Sequence, residues 1–91
     1  MNRTINEDIV NMILEQTIQK KVLKFTIGFL LDILPYSKNE ILSTINYLDS
    51  IGIFNKEDEK IEIDTQLTQV QKIKLMIINV DFKYIECFEL I

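Results

Sequence analysis

The sequence contains no histidine and a single cysteine, Cys87. Without histidine, the chain lacks the commonest general base and the commonest ligand of transition metals. One cysteine cannot form an intramolecular disulfide, and no histidine is present to activate it as a nucleophile. The acidic run Glu57 to Glu59 is contiguous and lacks the spacing that a coordination shell needs. We therefore expect no enzyme activity, no metal and no cofactor.

Long apolar runs are also missing. The longest one ends at Asp32 and Pro35, which makes it too short to span a bilayer. The N-terminus carries Arg3 but then Glu7 and Asp8 ahead of any apolar run, unlike a signal peptide. We expect a cytoplasmic protein without a membrane partner. The chain has no alanine and many isoleucines, asparagines and lysines, a bias that we attribute to an AT-rich plasmid, other mobile element or virus.

Length and composition predict one small domain, residues 1–91, that needs a partner. A chain of 91 residues is near the size at which a single core is adequate but not generous. Its hydrophobic fraction of 47% gives more apolar surface than it can comfortably hide alone. A homodimer or another protein partner is expected.

Capping signals divide the first half of the chain into helices. Thr4 and Glu7 have the spacing of a capping box ahead of a helix predicted at about 7–20. A second helix is predicted at 26–34, between a cap at Thr26 and Pro35, which cannot continue it.

The strongest cap is Ser37, with Glu40 three residues on. The Ser37 hydroxyl can accept from the Glu40 amide while the carboxylate reaches back to the Ser37 amide, which starts a helix predicted at 37–51. Gly52 suits a left-handed end for this helix. The side of the helix predicted to face the core carries Ile41, Thr44, Ile45, Leu48 and Ile51.

The remaining residues predict a hairpin and a long helix. Apolar and polar residues alternate in residues 53–64 on either side of a charged turn, which is typical of a β-hairpin. From Thr65 onward apolar residues recur in four- and three-residue steps, a heptad pattern that predicts one helix over 65–91. Residues 78–84 also alternate and suit an edge strand equally well. The predicted helical seam, which would form a dimer interface, comprises Val70, Ile73, Ile77, Val80, Tyr84, Cys87 and Ile91.

The stretch TIGFLLDILPYSKNEILSTINYLDSIGIF, with its Ser37 cap, buried Ile and Leu positions and Gly52–Ile53 pair, resembles the winged helix-turn-helix superfamily. The resemblance implies a mainly α fold with a small β-hairpin, the wing, and a long C-terminal dimerisation helix. It further implies that the helix at 37–51 enters the major groove of DNA and that the wing approaches the backbone or minor groove.

A helical wheel then gives the outward side of the helix at 37–51. Asparagine can bond adenine through both edge atoms and serine can serve any base, so this side is able to read DNA; it is equally what a solvated helix face looks like. Lysines at the helix start and in the wing could hold phosphates. The predicted DNA-binding set is Lys38, Asn39, Ser43, Asn46, Tyr47, Ser50, Lys56 and Lys60.

Charge supports a competing interpretation. The formal net charge of −4 lies entirely in residues 37–64, where three lysines face seven acidic residues. Phosphate contacts supply most non-specific affinity for DNA, so an acidic reading unit should bind weakly on its own. Two functions therefore remain open: a homodimeric DNA-binding regulator of transcription or of mobile-element maintenance, and an acidic interaction module or phage-type inhibitor that binds a basic protein surface.

Overall fold

The structure is a computed structural model in which residues 5–91 are described. Within them the chain forms a mixed α/β domain with a small antiparallel sheet. The elements in chain order are α1 (Glu7–Ile18), β1 (Lys24–Thr26), α2 (Ile27–Ile33), α3 (Lys38–Ser50), β2 (Phe54–Glu57), β3 (Lys60–Ile63), β4 (Gln66–Leu67), α4 (Gln69–Ile77), α5 (Phe82–Glu86) and β5 (Glu89–Leu90).

The first helix starts from a different cap than predicted. Thr4 lies outside the described residues, and the Asn6 side chain caps α1 by accepting from the Asp8 backbone N–H at 3.0 Å. The helix ends at Ile18, short of the predicted residue 20. Lys21 lies in the left-handed region with φ 60°, so the chain has already turned away from the helix axis there.

The caps of α2 and α3 confirm the sequence-based expectations in part. Thr26 Oγ1 accepts from the Phe29 backbone N–H at 3.1 Å, and Ser37 Oγ accepts from the Glu40 backbone N–H at 3.2 Å. The Glu40 carboxylate, however, accepts from the Ser37 hydroxyl and from the Asn6 amide, both at 3.2 Å. It thereby ties the start of α3 to the start of α1 instead of completing a capping box.

The end of α3 is the left-handed turn that the sequence predicts at Gly52. Gly52 has φ 85°, its backbone N–H donates to Asp49 O at 3.1 Å, and the Ile53 N–H donates to Leu48 O at 2.9 Å. These two bonds form a Schellman motif, which satisfies carbonyl groups that the last turn would leave unpaired.

The hairpin strands β3 and β2 are the central strand and one edge strand of a three-stranded antiparallel sheet. Its other edge is β1, so the strand order is β1-β3-β2. The two-residue turn of the hairpin is Asp58–Glu59, with Asp58 at φ 54°. β1 pairs along β3 as far as Thr26 opposite Lys60, and the Ile27 N–H donates to Glu59 O at 2.9 Å. The turn is therefore held beside the start of α2 and does not project beyond the sheet.

The prediction of one helix over residues 65–91 is wrong, because α4 ends in a second Schellman motif. Asn79 has φ 61°, its N–H donates to Met76 O at 3.1 Å, and the Val80 N–H donates to Leu75 O at 3.2 Å. Asparagine enters the left-handed region more easily than most residues. The Asp81 N–H then donates to Asn11 Oδ1 of α1 at 2.8 Å, which fixes the loop against the domain.

The alternative edge strand at 78–84 is not formed either. α5 begins inside this segment at Phe82, capped by the Asp81 carboxylate, which accepts from the Lys83 N–H at 3.1 Å. The chain then returns to pair β5 with β4 in parallel, with the Glu89 N–H bonded to Thr65 O at 3.2 Å.

Because α4 and α5 are separate helices, the predicted seam is divided. Val70, Ile73, Ile77 and Ile91 are exposed, whereas Val80 and Tyr84 are buried in the core. Cys87, expected to be a buried seam residue, is exposed. A heptad counts residues along one straight helix, and the left-handed turn at Asn79 removes that condition.

A capping box starts α4 and connects it to the end of α3. Thr68 Oγ1 accepts from the Gln71 N–H at 3.2 Å, and Gln71 Oε1 accepts from the Thr68 N–H at 2.7 Å. The other end of the same carboxamide, Gln71 Nε2, donates to Gly52 O at 3.1 Å. Gln71 thus joins the turn after α3 to the first turn of α4.

The core lies between the helices and the inner side of the sheet. It is formed by Ile9, Val10, Ile13 and Leu14 of α1, Ile41, Ile45 and Leu48 of α3, Phe54, Ile61 and Ile63 from the hairpin, and Leu75, Ile78 and Ile85 from the C-terminal part. Among the described helices, none has both the length and the apolar content to cross a membrane.

Candidate nucleic-acid interface

The rotation of α3 about its axis is fixed by its buried side. Ile41, Ile45 and Leu48 are each 0% exposed. The buried Thr44 hydroxyl donates to Glu40 O at 2.9 Å and accepts from the Asn6 backbone N–H at 3.2 Å. These contacts lock α3 against α1, so the opposite side of the helix must face outward.

A second link between α1 and the α3 region lies just before the helix. The Tyr36 hydroxyl donates to Asp8 Oδ2 at 3.2 Å. Partial burial of the phenol and the negative charge of Asp8 raise the pKa of Tyr36 above its ordinary value of 10.0. The phenol that donates this bond therefore holds its proton to higher pH than a free tyrosine does.

All eight residues of the predicted DNA-binding set lie at the surface. Ser43, Tyr47 and Lys56 are half-buried and the other five are exposed. Within residues 5–91 the side chains of Asn39 and Ser43 make no hydrogen bond, so their polar groups are available to a ligand. The Ser50 hydroxyl instead donates to Tyr47 O at 2.6 Å, which turns its only donor back onto the helix.

The structure brings together two members of the set that are ten residues apart in sequence. Lys56 Nζ donates to Asn46 Oδ1 at 2.9 Å, across the gap between β2 and α3. The Lys56 backbone N–H donates to Asp49 Oδ1 at 3.2 Å. Asp49 was absent from the predicted set, and no local sequence pattern could have revealed it, since the contact depends on how the hairpin folds back on the helix.

The outer face of the sheet carries lysines that are each beside an acidic residue. Lys24 Nζ lies 3.8 Å from Glu62 Oε2, with the two side chains 80% and 59% exposed. Lys60 is opposite Glu57 across the hairpin. Such exposed pairs are screened by salt and contribute little energy, but they reduce the positive potential that a phosphate would meet. Lys60 is therefore a weaker phosphate contact than its sequence position suggested.

The start of α3 also differs from a simple phosphate site. Lys38 is exposed at the first position of the helix, as predicted. The carboxylate of Glu40 is bonded to the Ser37 hydroxyl at this same helix end. An acidic group therefore shares the place where helix amides would attract an anion.

A second exposed surface is apolar and lies on α4. Val70, Ile73 and Ile77 are 60%, 46% and 64% exposed, and their spacing of three and four residues places them on one side of the helix. Leu75 and Ile78 face the core from the other side. We call Val70, Ile73 and Ile77 the α4 strip. It is the part of the predicted dimer seam that lies on α4; Cys87 and Ile91, which are also exposed, lie beyond this helix.

Neither a metal site nor a reactive thiol site is built by the described residues. In residues 5–91 no group of three or more acidic or cysteine side chains is arranged to hold a metal ion. Cys87 opens onto a shallow surface pocket beside Thr17, Ile18 and Lys21, and its surroundings include no histidine.

Comparisons with known proteins do not identify the function of this surface, so that function is inferred from the geometry. No protein-family model, no curated protein and no solved structure matches the chain.

Proposed function

We propose that the chain is a homodimeric winged-helix protein that binds DNA through α3 and acts as a regulator of transcription or of mobile-element maintenance. The observation that carries the proposal is the outward side of α3, where Asn39, Ser43 and Asn46 are accessible while the inner side is locked against α1. The order of α2, α3 and hairpin, with β1 as the third strand, supports the resemblance to winged-helix proteins.

The spacing along α3 suits base reading. Asn39 and Asn46 are seven residues apart, so at 1.5 Å per residue their positions differ by roughly 10 Å along the helix, about three base-pair steps. Each amide can donate to N7 of adenine and accept from its amino group. The two side chains would therefore contact separate base pairs of one major-groove site.

The homodimer in this proposal forms through the α4 strip. Identical strips can meet around a two-fold axis, which buries three exposed apolar side chains from each copy. Such a dimer would place two α3 helices on one DNA site and double the phosphate contacts that the acidic hairpin makes scarce.

A charged substitution in the strip tests the dimer. Ile77→Asp places a carboxylate in the contact, and because Ile77 is 64% exposed it leaves the core intact. We expect a monomer by light scattering with an unchanged circular dichroism spectrum. Asn55→Asp adds the same charge to an exposed position of β2 and should leave the dimer intact. A wild-type protein that is monomeric at every concentration would contradict the homodimer.

DNA binding is tested by mobility shift across a salt series, with DNA from the region upstream of the coding sequence and a randomised duplex pool. We expect a sequence-dependent shift that weakens steeply as salt rises. Asn39→Ala and Asn46→Ala should each cost about 1–3 kcal/mol at the preferred site. Asn55→Ala, on the outer edge of the sheet, serves as the control. Absence of any shift at low salt would refute the proposal.

A second candidate function is supported by the acidic residues around the hairpin turn. Asp58, Glu59 and Glu57 are exposed together, and Glu40 lies at the start of α3. This surface suits a basic protein, as in an interaction module or a phage-type inhibitor. Salt-sensitive capture of one basic protein that is lost in the Asp58→Asn/Glu59→Gln variant, without a shift of any AT-rich DNA, would favour it over DNA binding.

A further inference from the structure

Lys56 occupies an unusual position for a lysine of the predicted DNA-binding set. Its side chain is half-buried and directed back to α3, where Nζ donates to Asn46 Oδ1 at 2.9 Å. Its backbone is held from the same helix, because the Lys56 N–H donates to Asp49 Oδ1 at 3.2 Å. Residues of α3 therefore hold both the backbone and the ammonium group of Lys56.

The ammonium group selects one of two orientations of the Asn46 amide. The terminal torsion of an asparagine is broad and nearly two-fold, so a free amide can present either its oxygen or its NH2 group to a ligand. An ammonium group has three donors and no acceptor. It therefore bonds the oxygen and turns the NH2 group of Asn46 away from Lys56.

The NH2 group of Asn46 has no hydrogen-bond partner within residues 5–91. The oxygen keeps one lone pair beyond the bond to Lys56. An amide in this state presents donors first, which matches the acceptor atoms of the major groove, N7 of a purine among them, and opposes the amino group of cytosine. A flipped amide would have the reverse preference.

We propose that Lys56 is a positioning residue that fixes the Asn46 amide for base reading instead of contacting a phosphate. This inference rests on the proposed DNA-binding function, which it deepens by assigning sequence discrimination at one base pair to a residue of the hairpin. The preferred base at that position is adenine, because adenine offers both an acceptor, N7, for the amide donor and an amino group for the remaining lone pair.

The test compares sequence preference, affinity and salt dependence in four single variants and one double variant of the full chain. Lys56→Met removes the donor while keeping the aliphatic stem, and Lys56→Arg retains a donor that can reach the Asn46 oxygen. Asn46→Ala removes the reader itself. Lys83→Met removes one positive charge from α5, outside the surface formed by α3 and the hairpin and outside the α4 strip, and is the matched control. Selection from a randomised duplex pool gives the preferred site of each protein.

We expect Lys56→Met to lose discrimination at the same base pair as Asn46→Ala, by roughly 5- to 100-fold, the range of a good amide–base contact. Adding Lys56→Met to Asn46→Ala should cause no further loss of discrimination, because the two residues act as one unit. Lys56→Arg should restore most of the preference, and Lys83→Met should retain it. Circular dichroism and thermal melting establish that each variant is folded.

Two results would overturn the inference in distinguishable ways. If Lys56→Met weakens binding equally for all sequences and reduces the salt slope by about one, Lys56 is a phosphate contact and the proposed function stands without this positioning role. If the wild-type protein shifts no duplex at low salt, the proposed function fails and the inference fails with it.

Discussion

Residues 5–64 and residues 65–91 differ in how directly their sequence translates into structure. In the first region, Thr26, Ser37 and Gly52 mark helix ends that the structure has at the same positions. In the second, a heptad pattern predicts one helix where the chain forms two helices and two short strands. A helix cap depends on a hydrogen bond between residues close in sequence, so the local sequence predicts it well. A regular spacing of apolar residues can also arise when those residues lie on separate helices and strands.

The second region shows how a period misleads. Ile77 and Tyr84 belong to the same predicted seam, but Ile77 is exposed on α4 and Tyr84 is buried on α5, and the left-handed Asn79 separates the two helices. α1 supports this break, since Asn11 accepts from the Asp81 N–H and Glu7 Oε1 accepts from Asn79 Nδ2 at 3.4 Å. These contacts join residues about 70 positions apart. Inspection of one segment could not have revealed them.

The largest expected effect is a difference in stability loss between substitutions on the buried and the exposed side of α4. Leu75→Ala empties a fully buried position and should lower the free energy of unfolding by about 2–5 kcal/mol. Ile73→Ala removes a side chain that is 46% exposed and should cost the isolated subunit much less. Denaturant unfolding of both variants, in the Ile77→Asp background to avoid a dimer contribution, measures the difference. Equal losses would mean that α4 packs through another side.

A somewhat smaller loss is expected at the glycine that ends α3. A Cβ on Gly52, at φ 85°, would collide with Gln71 Nε2, so Gly52→Val strains the backbone and displaces Gln71. We expect a loss of about 2–3 kcal/mol by thermal or denaturant unfolding. The control is Gly28→Ala in α2, where the nearest atom to a Cβ is Thr26 Oγ1 at 3.9 Å. That change should stabilise the protein by up to about 1 kcal/mol, as alanine favours helices.

Asn79→Ala tests the break between α4 and α5 directly, because a continuous helix and a helix that ends at Asn79 predict stability changes of opposite sign. In a continuous helix, replacing asparagine by alanine would stabilise the protein by several tenths of a kcal/mol. At φ 61° the same change should destabilise it by about 1–2 kcal/mol. Asn79→Gly removes the same side chain while tolerating the left-handed backbone, so it should lose less than Asn79→Ala. An increased melting temperature for Asn79→Ala would instead indicate that α4 and α5 form one continuous helix.

The smallest effect concerns the link between α1 and the α3 region. The pKa of Tyr36 is raised by burial and by Asp8, so the folded protein keeps this phenol protonated to higher pH than the unfolded chain does. The resulting stability is fully present below the unfolded pKa and is lost as pH rises through the folded one. Tyr36→Phe should therefore flatten the decline of melting temperature above pH 10. An identical decline in both proteins would exclude this contribution.

The candidate site was predictable to the extent that it depends on one helix. The Ser37 cap and a helical wheel were enough to place Asn39, Ser43 and Asn46 on the outward side of α3. Its environment was not predictable, because the Lys56–Asn46 bond and the pairing of lysines with acids across strands need the tertiary fold. Composition indicated an excess of apolar surface, but only the structure shows that Val70, Ile73 and Ile77 form an exposed strip along α4.

The contacts of the Gln71 side chain bear on the spacing of the two DNA half-sites that a dimer of this chain would bind. It bonds Gly52 at the end of α3 and Thr68 at the start of α4, so it links α3, the proposed reading helix, directly to the helix that carries the α4 strip. In a dimer built on that strip, the distance and angle between the two reading helices follow from this joint. An operator for such a dimer has inverted half-sites at one fixed helical phase, and inserting half a turn of DNA between them abolishes simultaneous contact.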